Sequence, residues 1–425
     1  MTAFNFAGAF VSPLGQFSKA LVASLQAEDW PLALVTTWDA LRTGHYPAVE
    51  WSQLTRKTFN LQRLENFEQW LLGGSIHSSA LEHRLQDCPC LILTALDRLA
   101  LSGRSGRRQL LNEPQRYALG QQIYWLVRRA TPYRSQTGQA ADLNQHLPHW
   151  RVIPESFDPR NGARRLQLFE SRAVELSFQD APDELVVYLV EFDADPHYAP
   201  GLCQDWVAEQ LVNESELAAE ALEHLRRATA AKADVIVFPE LCVSPGVAQA
   251  IRGYLQGAER PHRLVVAGSF HVRDGNQYFN QALVLDPFGN EIADWRHRKL
   301  TAVSLERGAI SEGITRATEL RIAATPCGLQ AVVICLDLAQ AQPWEAVPLE
   351  DLALDWLWVP SWSKNTHAHQ AKARECRNFQ STTTACANQR LPGEAMGTSF
   401  VVAVSAEQIA ESTCHPAQLH RVRWR

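Results

Sequence analysis

Residues 332–338 read V-V-I-C-L-D-L, an apolar run rich in β-branched residues that stops at Cys335, with Asp337 close behind. Such a run predicts a buried strand. A strand that carries one thiol at its carboxyl end is a common way for an α/β enzyme to present a nucleophile. This stretch alone is weak evidence, because free cysteine is among the most buried residue types and packing is favoured over catalysis by roughly three to one.

Two further stretches place reactive groups where apolar segments end. Residues 233–240 read A-D-V-I-V-F-P-E, which predicts a second buried strand with Glu240 at its tip. Residues 294–300 read D-W-R-H-R-K-L and place Lys299 after a strand-like run and a turn. A carboxylate can take the proton of a thiol, the thiolate can attack carbon, and an ammonium can hold the developing oxyanion. Together the three groups indicate hydrolysis of an amide.

These segments resemble the Glu-Lys-Cys signature of the nitrilase superfamily of carbon–nitrogen hydrolases, over about residues 185–400. The resemblance implies an α/β fold, a four-layer α-β-β-α sandwich. It also implies hydrolysis of a non-peptide C–N bond in a small amide or carbamoyl compound through a thioester on Cys335. Glu240 would be the general base and later the acid. Lys299, supported by the backbone N–H of Leu336, would stabilise the oxyanion.

Many members of this superfamily carry a second glutamate beside the triad. Glu306, in the segment L-E-R-G seven residues after Lys299, is similar to that residue. Glu312 competes for the same role, and the sequence favours Glu306 by about two to one. Either residue would hydrogen-bond the lysine or orient the substrate.

The resemblance also suggests which residues line the substrate pocket. Trp362, in V-P-S-W, and Tyr278, in D-G-N-Q-Y-F-N, lie in segments that match the family. His367 and His369 precede a helix that matches less closely, and both contact with substrate and exposure to solvent are compatible with their positions. No metal or organic cofactor is implied by this chemistry.

Two departures from the family pattern are informative. Cys-Leu-Asp stands where nitrilases that act on nitriles usually carry Cys-Trp-Glu or Cys-Gly-Glu, which favours an amide, ureido or acyl substrate. The chain also ends soon after Val404, with a basic tail at residues 420–425 in place of the longer C-terminal strands of the family. The expected homodimer or higher homo-oligomer could therefore pack differently.

Composition limits the class of protein. A chain of 425 residues with 46% hydrophobic and 20% charged residues has ample material for two globular domains. No apolar run approaches the roughly 20 residues of a membrane span, so no membrane association is expected. Nine scattered cysteines argue against a disulfide framework and for a reducing cytoplasm. Cys88 and Cys90 lie near His83, but their spacing fits no common zinc pattern.

Three segments are expected along the chain. Residues 1–133 read as a mainly α-helical domain of unknown role, in which a helix would start at Pro114 and run to Arg129. Residues 134–180 read as a linker with one or two edge strands between Leu166 and Phe178. Residues 181–425 form the nitrilase-like domain, with its final strand at residues 399–404.

Charge is distributed unevenly, and this leaves a second function open. Residues 1–180 carry 19 basic and 16 acidic side chains, about +3, against −6 for the whole chain. Clusters of arginines there could bind an acidic protein or a nucleic acid, although a solvated helix face is about twice as common. The alternative hypothesis is therefore a nitrilase-like scaffold or ligand-sensing subunit that docks a larger assembly, for instance one of antiviral defence, through the Arg-rich domain.

Overall fold

The computed structural model forms two compact units, residues 1–155 and residues 156–425. It describes fifteen stretches of the chain: residues 21–43, 61–73, 76, 89–102, 114–130, 143–157, 164–180, 182–198, 206–257, 262–305, 310–339, 349, 352–389, 398–411 and 417–423. The division between the units differs from the expected boundaries at residues 133 and 180. Residues 143–155 belong to the first unit, and the described residues from 156 to 180 belong to the second.

The first unit combines helices with a small antiparallel sheet. Its helices are α1 (Trp30–Thr43), α2 (Leu61–Leu72) and α3 (Pro89–Ser102), and residues 21–26 are also helical. Its strands β1 (Gln115–Leu119), β2 (Gln122–Arg128) and β3 (Trp150–Pro154) pair in that order. Apolar side chains from the helices and from β2 and β3 share one buried core.

The helix predicted from Pro114 to Arg129 is wrong, because this segment is a β-hairpin. Leu119 pairs with Gln122 across a two-residue turn, and Gly120 in that turn has a φ of +61°. Glycine adopts this left-handed conformation at no steric cost, and a two-residue turn matches the twist of the strands. Residues 122–128, Q-I-Y-W-L-V-R, are mostly aromatic or β-branched and suit a half-buried strand.

Arg129, one of the arginines that give residues 1–180 their positive charge, is buried in the first unit. Its Nε donates to the carbonyl oxygens of Leu147 (2.8 Å) and Trp150 (3.1 Å), and its Nη2 donates to that of Asn144 (2.8 Å). A buried guanidinium satisfied by three backbone carbonyls fixes the loop before β3. It therefore adds no charge to a docking surface.

The second unit contains two main sheets. Its strands are β4 (Ser156–Phe157), β5 (Arg164–Phe169), β6 (Glu184–Leu189), β7 (Val235–Val237), β8 (Leu264–Asp274), β9 (Gln277–Leu285), β10 (Ser304–Leu305), β11 (Ile310–Ser311), β12 (Glu319–Thr325), β13 (Gly328–Val332), β14 (Trp356–Trp362), β15 (Thr383–Gln389), β16 (Phe400–Val402), β17 (Ser405–Glu411) and β18 (Gln418–Arg423). One sheet has the order β16-β15-β14-β13-β12-β5-β4 and the other β17-β18-β6-β7-β8-β9. Strands β10 and β11 form a separate two-stranded ladder.

Helices of the second unit pack against these sheets or against one another. They are α4 (Arg172–Ser177), α5 (Glu214–Ala230), α6 (Pro245–Gly257), α7 (Leu336–Ala339) and α8 (His367–Gln380). Val235 and Val237 of β7 point into a core shared by both sheets, whereas Ile236 packs with the apolar residues of α5 and α6. This alternation follows from the period of two in a strand. Helix α8 packs against β15 and β16 on the other side. The expected α/β fold is confirmed.

Two expectations for the second unit are wrong in detail. The segment from Leu166 to Phe178 contains the end of β5 and then helix α4, so it holds one of the one or two strands expected, and that strand lies between β12 and β4 rather than at an edge. Residues 400–402 are not the final strand, because β17 and β18 follow, and β18 pairs antiparallel with β6. Val422 lies in the inter-sheet core, while its neighbours Arg421 and Arg423 face outward and reach Glu184. The basic composition of this segment reflects the outer face of a strand.

No helix in the described stretches has both the length and the apolar character that a membrane crossing requires.

Candidate active site

Glu240 follows strand β7 and is almost fully buried. The backbone holds it in place, since Glu240 N–H donates to Ser361 O (3.3 Å) and the next residue, Leu241, has a φ of +61°. Its carboxylate accepts three hydrogen bonds whose donors are fixed by other strands and loops. Oε1 accepts from Lys299 Nζ (2.7 Å) and Asn280 Nδ2 (2.8 Å), and Oε2 accepts from Trp362 N–H (3.1 Å).

Lys299 is 1% exposed and lies between two carboxylates. Its Nζ donates to Glu240 Oε1 and to Glu312 Oε2 (2.9 Å). Asp337 fixes the loop that carries the lysine, because its carboxylate accepts from the N–H groups of Leu300 (3.0 Å) and Thr301 (2.8 Å). Since Asp337 lies two residues after the thiol, it ties the lysine loop directly to the nucleophile segment.

Cys335 lies beyond the end of strand β13, where the chain turns sharply into helix α7. Its φ of +45° is rare for a residue with a side chain and is typical of functional turns. The N–H of Cys335 donates to Pro360 O (2.9 Å), which continues the alignment with β14. Its sulfur lies 3.9 Å from Trp362 O and 3.6 Å from His369 Nε2. The Glu240 carboxylate is close enough to the thiol for its charge to raise the pKa of Cys335.

Glu312 completes the charged cluster. Oε2 accepts from Lys299 and from Val303 N–H (2.9 Å), and Oε1 accepts from Asn280 Nδ2 (3.0 Å) and His271 Nε2 (3.0 Å). The other ring nitrogen of His271, Nδ1, accepts from the backbone N–H of Ala208 (2.7 Å). This contact assigns the proton of His271 to Nε2, so the ring donates to the glutamate.

Burial and charge set the protonation of the acidic and basic groups. Burial raises the pKa of Glu240 above its usual value against the attraction of Lys299, and the Glu312 charge raises it further. Burial alone would also raise the pKa of Glu312, but Lys299 and the hydrogen bond from His271 hold it down at about 2. The two carboxylates outweigh burial for Lys299 and raise its pKa. Lys299 and Glu312 are therefore charged at neutral pH, and Glu240 is the group whose proton affinity is tuned upward.

The thiol is protonated in the ligand-free protein. Burial raises the pKa of Cys335 to about 12, and the negative charge of Glu240 adds to the effect against the opposing charge of Lys299. A carboxylate beside a neutral thiol can remove its proton as the sulfur attacks. The arrangement can therefore perform nucleophilic attack by sulfur with a base on one side and a cation nearby.

The family model described as carbon–nitrogen hydrolase matches residues 201–413. The chain belongs to this family. The match includes Glu240, Lys299 and Cys335 and does not extend to residues 1–200. The hydrolase shows no significant sequence similarity to any curated protein.

Solved structures of related proteins resemble the hydrolase over part of its length. An amidase from Nesterenkonia sp. and Nit3 from Saccharomyces cerevisiae, described as a member of branch 10 of the nitrilase superfamily, each share 17% sequence identity with it. Each alignment covers 56% of this chain and 89% of the other chain, with a TM-score of 0.39. A mutant of the same amidase carries the acetamide moiety of fluoroacetamide on its active-site cysteine.

The structure brings most of the predicted site residues of the hydrolase together. Glu240, Lys299 and Cys335 form one contiguous group, and Leu336 begins helix α7 directly after the thiol. Trp362 joins them through its backbone, since its N–H donates to Glu240 and its carbonyl lies near the sulfur.

Other predicted residues lie elsewhere. Glu306 is outside the described residues, and Glu312, its less favoured competitor, contacts Lys299. Tyr278 directs its hydroxyl to Glu209 (2.5 Å) near the surface. The side chain of His367 is exposed, whereas His369 is buried against Cys335.

Two contributors were missed as site residues. Asn280 bridges the carboxylates of Glu240 and Glu312 through one Nδ2 group, although the sequence pointed only to the fold-supporting segment that contains it. His271 lies at the end of an apolar run, L-V-V-A-G-S-F-H, and a polar residue at that position was the available signal.

Proposed function

We propose that this hydrolase cleaves the C–N bond of a small amide or carbamoyl compound through a thioester on Cys335. The observation that carries the proposal is the proximity of three buried groups: the Glu240 carboxylate accepts a hydrogen bond from the Lys299 ammonium, and Trp362, whose N–H donates to the same carboxylate, has its carbonyl oxygen 3.9 Å from the Cys335 sulfur. Burying such charges costs several kcal/mol in effective terms, so a protein kept only for its shape gains little from the arrangement.

The first half of the reaction forms the thioester. Glu240 takes the thiol proton while the sulfur attacks the carbonyl carbon of the substrate. The resulting oxyanion is stabilised by Lys299 and by the N–H of Leu336, and one donor of this kind typically contributes 10²–10³ in turnover. Glu240 then gives its proton to the departing nitrogen, the C–N bond breaks, and ammonia or an amine leaves.

The second half regenerates the enzyme. Glu240, again ionised, removes a proton from a water molecule, and the oxygen attacks the thioester carbon. The C–S bond breaks as the tetrahedral intermediate collapses, and Glu240 returns the proton to the sulfur. The products are the acid and a free thiol, and Lys299 keeps its proton throughout because two carboxylates hold it.

Glu312 supports the chemistry without exchanging protons. It accepts from four donors, so its oxygens are fully engaged, and its charge keeps Lys299 between the two carboxylates. We assign it the role that the sequence first suggested for Glu306.

We further propose a cytoplasmic homo-oligomer, with the first unit as a module for a protein or nucleic-acid partner. Buried thiols at Cys242, Cys335 and Cys386 support a reducing compartment. Sedimentation of the purified full-length chain tests the oligomer, and a mass at the monomer value over micromolar concentrations would contradict it.

A library of amides and ureido compounds, assayed for ammonia release, tests the proposed reaction. We expect release from at least one class of compound with the wild-type protein and none with Cys335→Ala. Cys327→Ala, which removes another buried thiol far from Glu240 in sequence, is the matched control and should retain activity. Failure to hydrolyse any amide, together with retained binding of a library compound by Cys335→Ala, would favour the ligand-sensing alternative.

A further inference from the structure

His369 occupies a position in helix α8 where an apolar residue is expected. The buried residues of this helix and its N-cap recur every three or four positions, as in any helix that packs on a sheet: Thr366, His369, Ala373, Cys376 and Gln380. His369 is only 4% exposed. Burial of an imidazole is unfavourable unless its nitrogens find partners, so leucine would serve packing better here.

The contacts of His369 point to the nucleophile. Its Nε2 lies 3.6 Å from the sulfur of Cys335, within range for a hydrogen bond to sulfur. Its Nδ1 is buried and has no hydrogen-bond partner among the described residues. A buried N–H without an acceptor is rarer than an acceptor without a donor, so the proton belongs on Nε2. The ring then donates to the sulfur and leaves a lone pair on Nδ1.

We propose that His369 is a further catalytic residue of this hydrolase, a neutral imidazole whose Nε2–H hydrogen-bonds the Cys335 sulfur while negative charge develops on it. The proposal rests on the reaction proposed above. The sulfur carries negative charge twice, when its proton passes to Glu240 and when it leaves the thioester. At both points the same Nε2–H stabilises it, and no proton leaves the ring.

The surroundings keep the ring neutral. Burial lowers the pKa of His369 to about 4, and the nearby Lys299 ammonium lowers it as well, against a raising contribution from the backbone of Cys335. At neutral pH, His369 therefore places no second positive charge beside the sulfur. Glu240 remains the proton acceptor, because burial raises the pKa of its carboxyl group and its charge acts on the thiol.

The rate of alkylation of Cys335 by iodoacetamide at pH 8, followed by mass spectrometry of the full chain, tests this role. We expect His369→Leu to react at least about tenfold more slowly than the wild type, because the hydrogen bond to the charged sulfur is lost. His369→Gln can place an amide N–H near the sulfur and should stay within about threefold of the wild type. Leucine and glutamine side chains have similar volumes, so the ratio of the two alkylation rates reports the effect of the hydrogen-bond donor.

Helix α8 supplies a matched control in His367, whose side chain is exposed. His367→Leu should alkylate at the wild-type rate. Thermal unfolding gives a second readout, because His369→Leu removes a buried polar group and should leave the melting temperature unchanged or raised. A lowered melting temperature in both His369 variants with equal alkylation rates would show a purely structural histidine and would overturn the proposal.

Ammonia release separates this proposal from the proposed function. Hydrolysis of a library amide combined with a rate ratio near one between the glutamine and leucine variants refutes the role of His369 alone. No hydrolysis of any amide, with a tenfold ratio preserved, refutes the hydrolase reaction and supports the contact between His369 and the sulfur.

Discussion

Replacement of Lys299 by methionine should make the stability of the hydrolase depend on pH in a defined direction. Methionine has a similar length but carries no charge, so Glu240 and Glu312 would lose the cation that both now contact at 2.7 and 2.9 Å. Breaking a buried ion pair by removing one partner typically costs 3–5 kcal/mol. We expect a loss of about that size in the free energy of unfolding at pH 7.

Acidification should restore part of this loss. Two carboxylates in one buried site cannot both stay ionised without a cation, so one of them acquires a strongly raised pKa in the folded variant. The folded state then binds one proton more than the unfolded state between about pH 4.3 and that raised pKa, and stability increases as the pH falls. The slope is about 1.4 kcal/mol per pH unit, which gives about 2.7 kcal/mol between pH 7 and pH 5.

Urea unfolding at pH 5, 6 and 7 measures this effect as the difference between variant and wild type. Lys372→Met is the matched control, because Lys372 pairs with Glu375 at 3.1 Å on the partly exposed face of helix α8. Surface pairs contribute about 0–1 kcal/mol, so this control should change little at any of the three pH values. A Lys299→Met deficit that stays constant from pH 5 to pH 7 would refute the shared buried cluster.

Three further predictions follow from the same site. The value of kcat/KM should rise with pH through the raised pKa of Glu240 and then stay level to at least pH 9, because burial raises the pKa of Cys335 to about 12. A steady rise above pH 8 would indicate instead that a thiolate is titrating. Asn280→Asp replaces a shared donor by a third carboxylate between two others, and steady-state kinetics should show kcat/KM lowered by about 10² or more. Gly268→Ala should abolish soluble folded protein or lower its melting temperature sharply, as judged by circular dichroism. A methyl group there would meet Pro239 O at 2.2 Å, at a φ of +61°.

Much of the fold and the core of the site could be predicted because strands end where their apolar runs end. The runs before Glu240 and Cys335 are short, apolar and β-branched, and both belong to parallel ladders within their sheets. Each side chain therefore lies at the carboxyl end of a strand in its own sheet, and the sequence predicts this position for both the acid and the thiol. Lys299 required the family pattern as well, because its neighbours are also basic.

The sequence could not identify Glu312 as the contact of Lys299, because a short β-ladder sets the position of Glu312. Strands β10 and β11 have two residues each, with Ser304 opposite Ser311, and this pairing returns the chain so that Glu312 N–H donates to Val303 O (2.8 Å). Register is encoded by alternating burial over several residues, and a two-residue strand carries almost none of that information. The preference for Glu306 came from its similarity to the second glutamate of the family, because the residues alone do not encode this register.

The same limit applies to the histidines at the start of helix α8. Residues two apart on a helix point about 200° apart, so only one of His367 and His369 can face the site. Which one does so depends on the phase of the helix, that is, on the direction around its axis in which the buried face points. That phase is weakly marked, because the helix places polar residues at many buried positions, including Thr366 and Gln380.

The charge balance of the site explains how a buried thiol can be both inert and reactive. Lys299 lies between two carboxylates, so the cluster keeps a net negative charge, and a thiolate beside it would be a second unfavourable anion. In the proposed reaction, the sulfur therefore holds its proton until an electrophilic carbonyl is in place to accept its electrons while Glu240 accepts the proton. Because the thiolate is also the form that oxidants attack, the same balance protects Cys335 between turnovers. Removal of the Glu240 charge should thus ease ionisation of the thiol while abolishing the proton transfer that turnover needs.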